Sequence, residues 1–240
     1  MRCESVFIAN AWGDAALKAV RKSLALIVSG VIVVLTAIGT YIMLTNTKEG
    51  LLVAYGLQNL KFFTVDSNLF LGLVCLAELI LATASALGKI ARIPPVTEGL
   101  IYVATVAVAL TFTVVVLFFG PAIGYADLFQ DANLYFHLII PVLAILSFCV
   151  LRRGRRISLK ETAAALIPSV LYGLYYTVVL LIRGVHFPDT DWYGFASGGI
   201  VGSVITASGI LLVTWTIALL LRLASGGTKR FARHRSPTAG

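Results

Sequence analysis

Six apolar runs, each about as long as a bilayer is thick, constrain this chain more than any other feature. They are Leu24–Leu44, Phe62–Leu87, Glu98–Phe119, Leu134–Leu151, Ala163–Ile182 and Gly199–Leu221. A spanning helix needs roughly 20 mostly apolar residues to cross the hydrocarbon core. Each run is bounded by charge, Gly or Pro. The fourth is short and contains His137 and Pro141, but both of its flanks are polar. In lipid only helices and closed barrels satisfy every backbone group, and these runs are too long for barrel strands. The expected fold class is all-α integral membrane, with six transmembrane helices in one bundle. Only 12% of the 240 residues are charged, against about 25% in a soluble domain. That excludes an ordinary soluble enzyme, a disordered protein and a disulfide scaffold.

The formal net charge of +8 is explained by where the cations lie. Of 19 Lys and Arg, sixteen fall in the N-terminal segment, the second and fourth loops and the tail; Lys48, Lys61 and Arg183 are the others. By the positive-inside rule both termini are cytoplasmic, and the even number of spans agrees in putting both ends on one side. The basic surface therefore reads as contact with anionic lipid headgroups, with no nucleic-acid partner. The expected location is the plasma (inner) membrane, multi-pass, with N and C termini inside. Asp127, Asp131, Asp189 and Asp191 then all fall outside.

The expected division is a cytoplasmic N-terminal segment over 1–22, a six-helix domain over 23–225 and a disordered basic tail over 226–240. No cleavable signal peptide is expected, because the first apolar run is too long. Val6–Leu17, with Trp12, suits an interfacial helix on the inner surface. Thr47–Leu60 mixes apolar and polar residues as a short surface helix outside does. The two halves show no repeat, which argues against an inverted-repeat transporter. The three cysteines, Cys3, Cys75 and Cys149, are odd in number and lie in the cytoplasm or within spans, unlike a disulfide framework. No spacing suggests a metal ligand set, a phosphate loop or a nucleophile elbow; no cofactor or metal is expected.

Polar residues inside spans are functional candidates by default. The second run opens Thr64-Val65-Asp66-Ser67-Asn68. Thr64 and Asn68 share a helix face, Ser67 lies near it, and Asp66 points about 200° away. Glu78 lies roughly 21 Å below Thr64 and cannot touch it. Such a deep carboxyl calls for protonation or a partner on another helix. The fourth run carries Asn133 and His137 on one face. The fifth carries Tyr172, Tyr175, Tyr176 and Arg183 in its outer half, and the sixth carries Ser203 and Thr206. Polar groups of four spans thus converge near the outer surface. A channel would be polar along its whole length.

A hydroxyl becomes a nucleophile when a base takes its proton, and His is the usual base. Thr64 and His137 facing each other could attack an acyl ester. The Asn68 or Asn133 amide or a Tyr hydroxyl could hold the oxyanion. Asp66 or Asp131 could orient the imidazole. A purely structural role for Thr64 would be a hydroxyl bonded back to its own helix; for His137 it would be a bond to a neighbouring helix.

The stretch Lys61-Phe62-Phe63-Thr64 resembles the Lys-Phe-Leu-Thr of the androgen-induced and androgen-dependent membrane proteins. That family comprises six-helix intramembrane threonine hydrolases that cleave fatty acid esters of hydroxy fatty acids. His137, four residues before Pro141, is similar to their second catalytic residue. Phe63–Asn68, Asn133–His137 and the fifth-span end with Tyr175, Arg183, Gly184, Phe187 and Pro188 resemble a bacterial branch of the same superfamily more closely. The resemblance implies a lipid-ester hydrolase with Thr64 and His137 as catalytic residues; by their positions in the spans, Asp66, Ser67, Asn68, Asn133, Tyr172, Tyr175, Tyr176 and Arg183 are expected to support them or line the substrate site. Two other readings stand beside it: a lipid-binding or scaffold protein without chemistry, and a small proton-coupled transporter using Asp66, Glu78 and His137.

Overall fold

The computed structural model describes residues 2–47 and 52–226, with side chains from residue 15 onward. Cys3, Trp12, Lys48 and the tail beyond residue 226 therefore lie outside the described side chains. Six helices are long and apolar enough to cross a membrane. Helix α1 runs over Arg2–Thr45, continuously through the segment read as interfacial. Helix α2 spans Phe63–Ala86, α3 Pro95–Ile123, α4 Asp131–Leu151, α5 Leu159–Arg183 and α6 Gly199–Ala224. No strand occurs among the described residues. The loop expected to hold a surface helix holds a 3-10 turn, Gly56–Lys61.

Several helices start earlier than the hydropathy reading, and local chemistry explains two of the differences. Helix α3 begins three residues earlier than Glu98 because Pro95 suits the first helical turn, where its missing N–H costs nothing. Helix α5 begins at Leu159 rather than Ala163. Ser158 and Glu161 form a reciprocal capping box there, each side chain bonding the other's backbone N–H. Periodicity of apolar residues is blind to a polar first turn.

Helix α3 is the central post. In its apolar window 61% of residues are buried, against 11% in α5 and 17% in α6. Its buried stretch is mostly small, with Ala104, Val106, Ala107, Val108 and Ala109. Small residues let helices approach closely where lipid offers no hydrophobic drive between them. The same logic acts at Gly72, where a Cβ would sit 2.8 Å from Thr36 of α1, and at Gly39, where it would sit 2.8 Å from the Phe136 ring. Helix α1 thus packs tightly on α2 and α4.

Helices α5 and α6 complete the bundle differently. Among the described residues, the N-terminal half of α6 bonds within itself and to its preceding loop: Ser203 Oγ donates to Gly199 O and Phe195 O. Its C-terminal end is tied to the rest. The Tyr102 hydroxyl donates to Ala218 O at 2.7 Å, Arg222 Nε to Ile157 O at 3.0 Å, and Gly154 N–H to Ser225 O at 2.8 Å.

At that same end of the bundle, Arg152 grips Glu78. Its guanidinium donates to both carboxylate oxygens, at 2.8 and 2.7 Å, and also to Glu98 and Ser29. The Ser29 hydroxyl donates to Glu78 at 2.7 Å. Glu78 is therefore the paired carboxyl the sequence called for. Its partner is Arg152, a residue that cation counting assigns only to topology.

Candidate active site

Helix α4 carries its histidine on an altered turn. Pro141 has no N–H to give to the carbonyl four residues back, which is that of His137 itself. The helix widens to a π turn over Tyr135–Ile139, and the Ile140 N–H bonds Tyr135 O instead. Such bulges re-aim side chains and recur at functional sites. The His137 side chain is 2% exposed, and its Nδ1 lies 2.7 Å from Leu128 O. A carbonyl can only accept, so Nδ1 carries the proton and the lone pair sits on Nε2, the arrangement a general base needs. Leu128 is itself buried, in a 3-10 turn over Asp127–Phe129 ahead of α4.

The sequence offered Asp66 or Asp131 to orient the imidazole. The structure fills that position with the Leu128 carbonyl. A main-chain acceptor leaves no trace in residue identities, so no pattern in the sequence pointed to it.

Thr64 lies in the first turn of α2. Its carbonyl accepts from Ser67 Oγ at 3.1 Å and from Asn68 Nδ2 at 2.8 Å. The same Asn68 amide donates to Phe136 O at 2.9 Å, one residue before His137. Ser67 Oγ also meets Thr111 Oγ1 of α3 at 3.2 Å. Asn68 is fully buried, and both hydrogens of its amide are spent on main chain. It positions Thr64 and α4 and has no hydrogen left for an oxyanion.

Thr64 and His137 line one cavity of about 950 Å³. Asn133, Asp131, Tyr172, Tyr176, Ser203 and Thr206 line it too, so polar groups of four helices share one cavity. Asp66, Ser67, Asn68, Tyr175 and Arg183 do not line it. Asp66 is half-buried, close enough to Tyr172 and Tyr193 for its charge to act on both hydroxyls. The Tyr175 ring packs on Trp192 and Tyr172 and is partly exposed. Arg183 is exposed and faces Asp189 at 3.9 Å.

The segment after α5 folds over the cavity as a cap. The Tyr172 hydroxyl donates to Lys61 O at 2.6 Å and accepts from Trp192 Nε1 at 3.0 Å. The Tyr176 hydroxyl donates to Asp191. Asp191, fully buried, also accepts from Ala196 N–H. Tyr193 reaches down between the helices, and its hydroxyl accepts from Phe63 N–H at 3.0 Å with the Thr64 side chain beside it. Burial pushes the Tyr193 hydroxyl up to about 12, so it keeps its proton at neutral pH. Tyr172 and Tyr176 have given theirs to fixed acceptors. Asn133 and Thr206 also line the cavity with polar hydrogens to give, and the Tyr193 hydroxyl is shared with the Thr64 and Tyr172 side chains.

Tyr193 was legible only as a loop aromatic. Its role depends on a fold-back of about ten residues that no hydropathy window registers. Among the described residues no group of His, Cys, Asp and Glu could hold a metal ion. Comparison of the chain with protein-family models, with curated proteins and with solved structures finds no match.

Proposed function

We propose that this protein is an intramembrane hydrolase of fatty acyl esters, with Thr64 as nucleophile and His137 as general base. The observation that carries the reading is the shared cavity: a hydroxyl and a correctly protonated imidazole line one largely apolar chamber. The resemblance of Lys61–Thr64 and of His137 with Pro141 to threonine hydrolases points the same way.

In this reading His137 Nε2 takes the Thr64 hydroxyl proton as Oγ1 attacks the ester carbonyl. Asn133 and Tyr193 donate to the tetrahedral oxyanion. The C–O bond to the alcohol breaks, and His137 returns the proton to the departing oxygen. Water, deprotonated by His137, then cleaves the threonyl ester, releasing the fatty acid and restoring Thr64. We also infer that both termini face the cytoplasm, which puts the cavity in the outer half of the membrane.

The test uses purified protein in vesicles. A fluorophosphonate probe labels Thr64, and His137→Ala abolishes both labelling and cleavage of nitrophenyl esters. Wild-type protein that neither labels nor cleaves any lipid or nitrophenyl ester overturns the reading, leaving a lipid-binding protein without chemistry. A proton-coupled carrier is disfavoured, because Glu78 is held in an ion pair away from the cavity.

A further inference from the structure

The cavity wall is open on one side. Leu174 and Leu181 of α5, and Ile200 and Val204 of α6, line the cavity and are also exposed on the outside of the bundle. Side chains that face a chamber and the exterior at once border an opening. The slot follows the first half of α6, from Gly199 to Leu211, or roughly 18 Å at 1.5 Å per residue. No charged residue occurs between residues 167 and 182 of α5 or between 199 and 221 of α6. The slot therefore lies within two membrane spans, and what borders it there is hydrocarbon.

The other mouth is different. Asp127, Gln130 and Asp131 line it and are exposed. Among the described residues the lining contains these two carboxylates and neither Lys nor Arg. A chamber with an apolar side slot and a polar mouth fits an amphiphile, with its chain through the slot and its head group at the mouth. Two carboxylates at the mouth repel a fatty carboxylate or a phosphate and accommodate an uncharged head.

We propose that the slot between α5 and α6 is the entrance for a long-chain acyl ester with an uncharged head group, which enters sideways from the hydrocarbon without crossing water. The chain lies between the two helices and the ester carbonyl rests on the wall formed by Thr64, His137 and Asn133. The entrance stands on the cavity and slot alone; that the ester is then cleaved rests on the hydrolase reading. Gly173 lies on this wall, and a Cβ there would meet nothing within 4 Å. Packing does not require glycine at that point, and a larger side chain projects into the opening.

The experiment places the full chain, as Thr64→Ala so that no probe is consumed, in phosphatidylcholine vesicles with a monoacylglycerol bearing a diazirine on its chain. After irradiation, cross-links are mapped by peptide mass. The expected labels include Leu110, Thr111 and Val115 on the inner wall of α3, which are at most 4% exposed and out of reach of bulk lipid. Gly173→Trp and Ala207→Trp, from opposite sides of the slot, each lower those inner labels at least tenfold while outward labels on Leu212 and Leu220 persist. Labels confined to outward faces, inner labels untouched by both substitutions, or a second copy cross-linked across the slot would each overturn the entrance. Equal inner labelling by a diazirine fatty acid overturns the head-group assignment. If the labels follow the expected pattern but wild-type protein has no esterase activity, the hydrolase reading falls and the entrance stands.

Discussion

One amide, Asn68 Nδ2, holds the main chain of both candidate catalytic helices, donating to Thr64 O at 2.8 Å and to Phe136 O at 2.9 Å. The register between the candidate nucleophile and base is therefore set by a buried group that touches neither side chain. Asn68→Leu should lower kcat at least tenfold with little change in KM, because a misplacement of about 1 Å costs on the order of 10² in rate. Phe136 O left without that donor should cost about 1–3 kcal/mol of stability, while Thr64 O keeps the Ser67 hydroxyl. Steady-state kinetics and thermal unfolding in detergent check both; unchanged kcat with lowered stability would make Asn68 purely structural.

Asp66→Asn and Asp131→Asn should each keep activity within about threefold. In a Ser-His-Asp triad, loss of the orienting carboxylate costs about 10⁴ in kcat. Here Nδ1 is already engaged by Leu128 O, so neither carboxylate is needed for the tautomer. A fall of three orders of magnitude in Asp66→Asn would show that the imidazole turns to the carboxylate during turnover.

Asn133→Ala and Tyr193→Phe should each reduce kcat by roughly 10²-fold, the usual loss for one oxyanion donor. The pH profile separates Tyr193 from the base. A hydroxyl raised to about 12 donates only while protonated, so its contribution is present at neutral pH and is lost as pH rises through that value. The wild-type profile should show no alkaline fall from Tyr193 below about pH 11, and Tyr193→Phe should lower the rate without introducing such a limb.

Arg152→Ala should destabilise the bundle by about 3–5 kcal/mol, since it strands a buried carboxylate. Replacing both partners, as Glu78→Gln with Arg152→Met, should recover much of that loss. Esterase activity per folded molecule should stay near wild type in the double variant, because the pair lies at the far end of the bundle. Thermal unfolding and active-site titration give the two readouts.

The architecture was legible because its signal is redundant: every residue of a span must be compatible with lipid, so some 20 positions testify to each helix. The site was legible only where identity carries the chemistry. Thr64, His137 and Asn133 announce themselves as polar residues at one depth in apolar runs. Leu128 does not, because its contribution is a carbonyl that every residue has. Arg152 was hidden for the opposite reason. A cation at the end of an apolar run satisfies the topology rule so well that its side chain's return into the bundle, where it is 6% exposed, leaves no further mark. Glu78 was the signal that could have found it, since a deep carboxylate needs a counter-charge within a side chain's reach.

Among the described residues, the bonds that tie α6 to the other elements, through Ala218, Arg222 and Ser225, all sit near one end. Mechanically the helix is a cantilever, clamped at the foot. Deflection in such a beam grows toward the unclamped tip, where Ile200 and Val204 stand. The bundle can therefore widen on the side of that tip without breaking a hydrogen bond between helices and without a hinge residue, while the stiff partnership of α2, α3 and α4 keeps Thr64 and His137 in register.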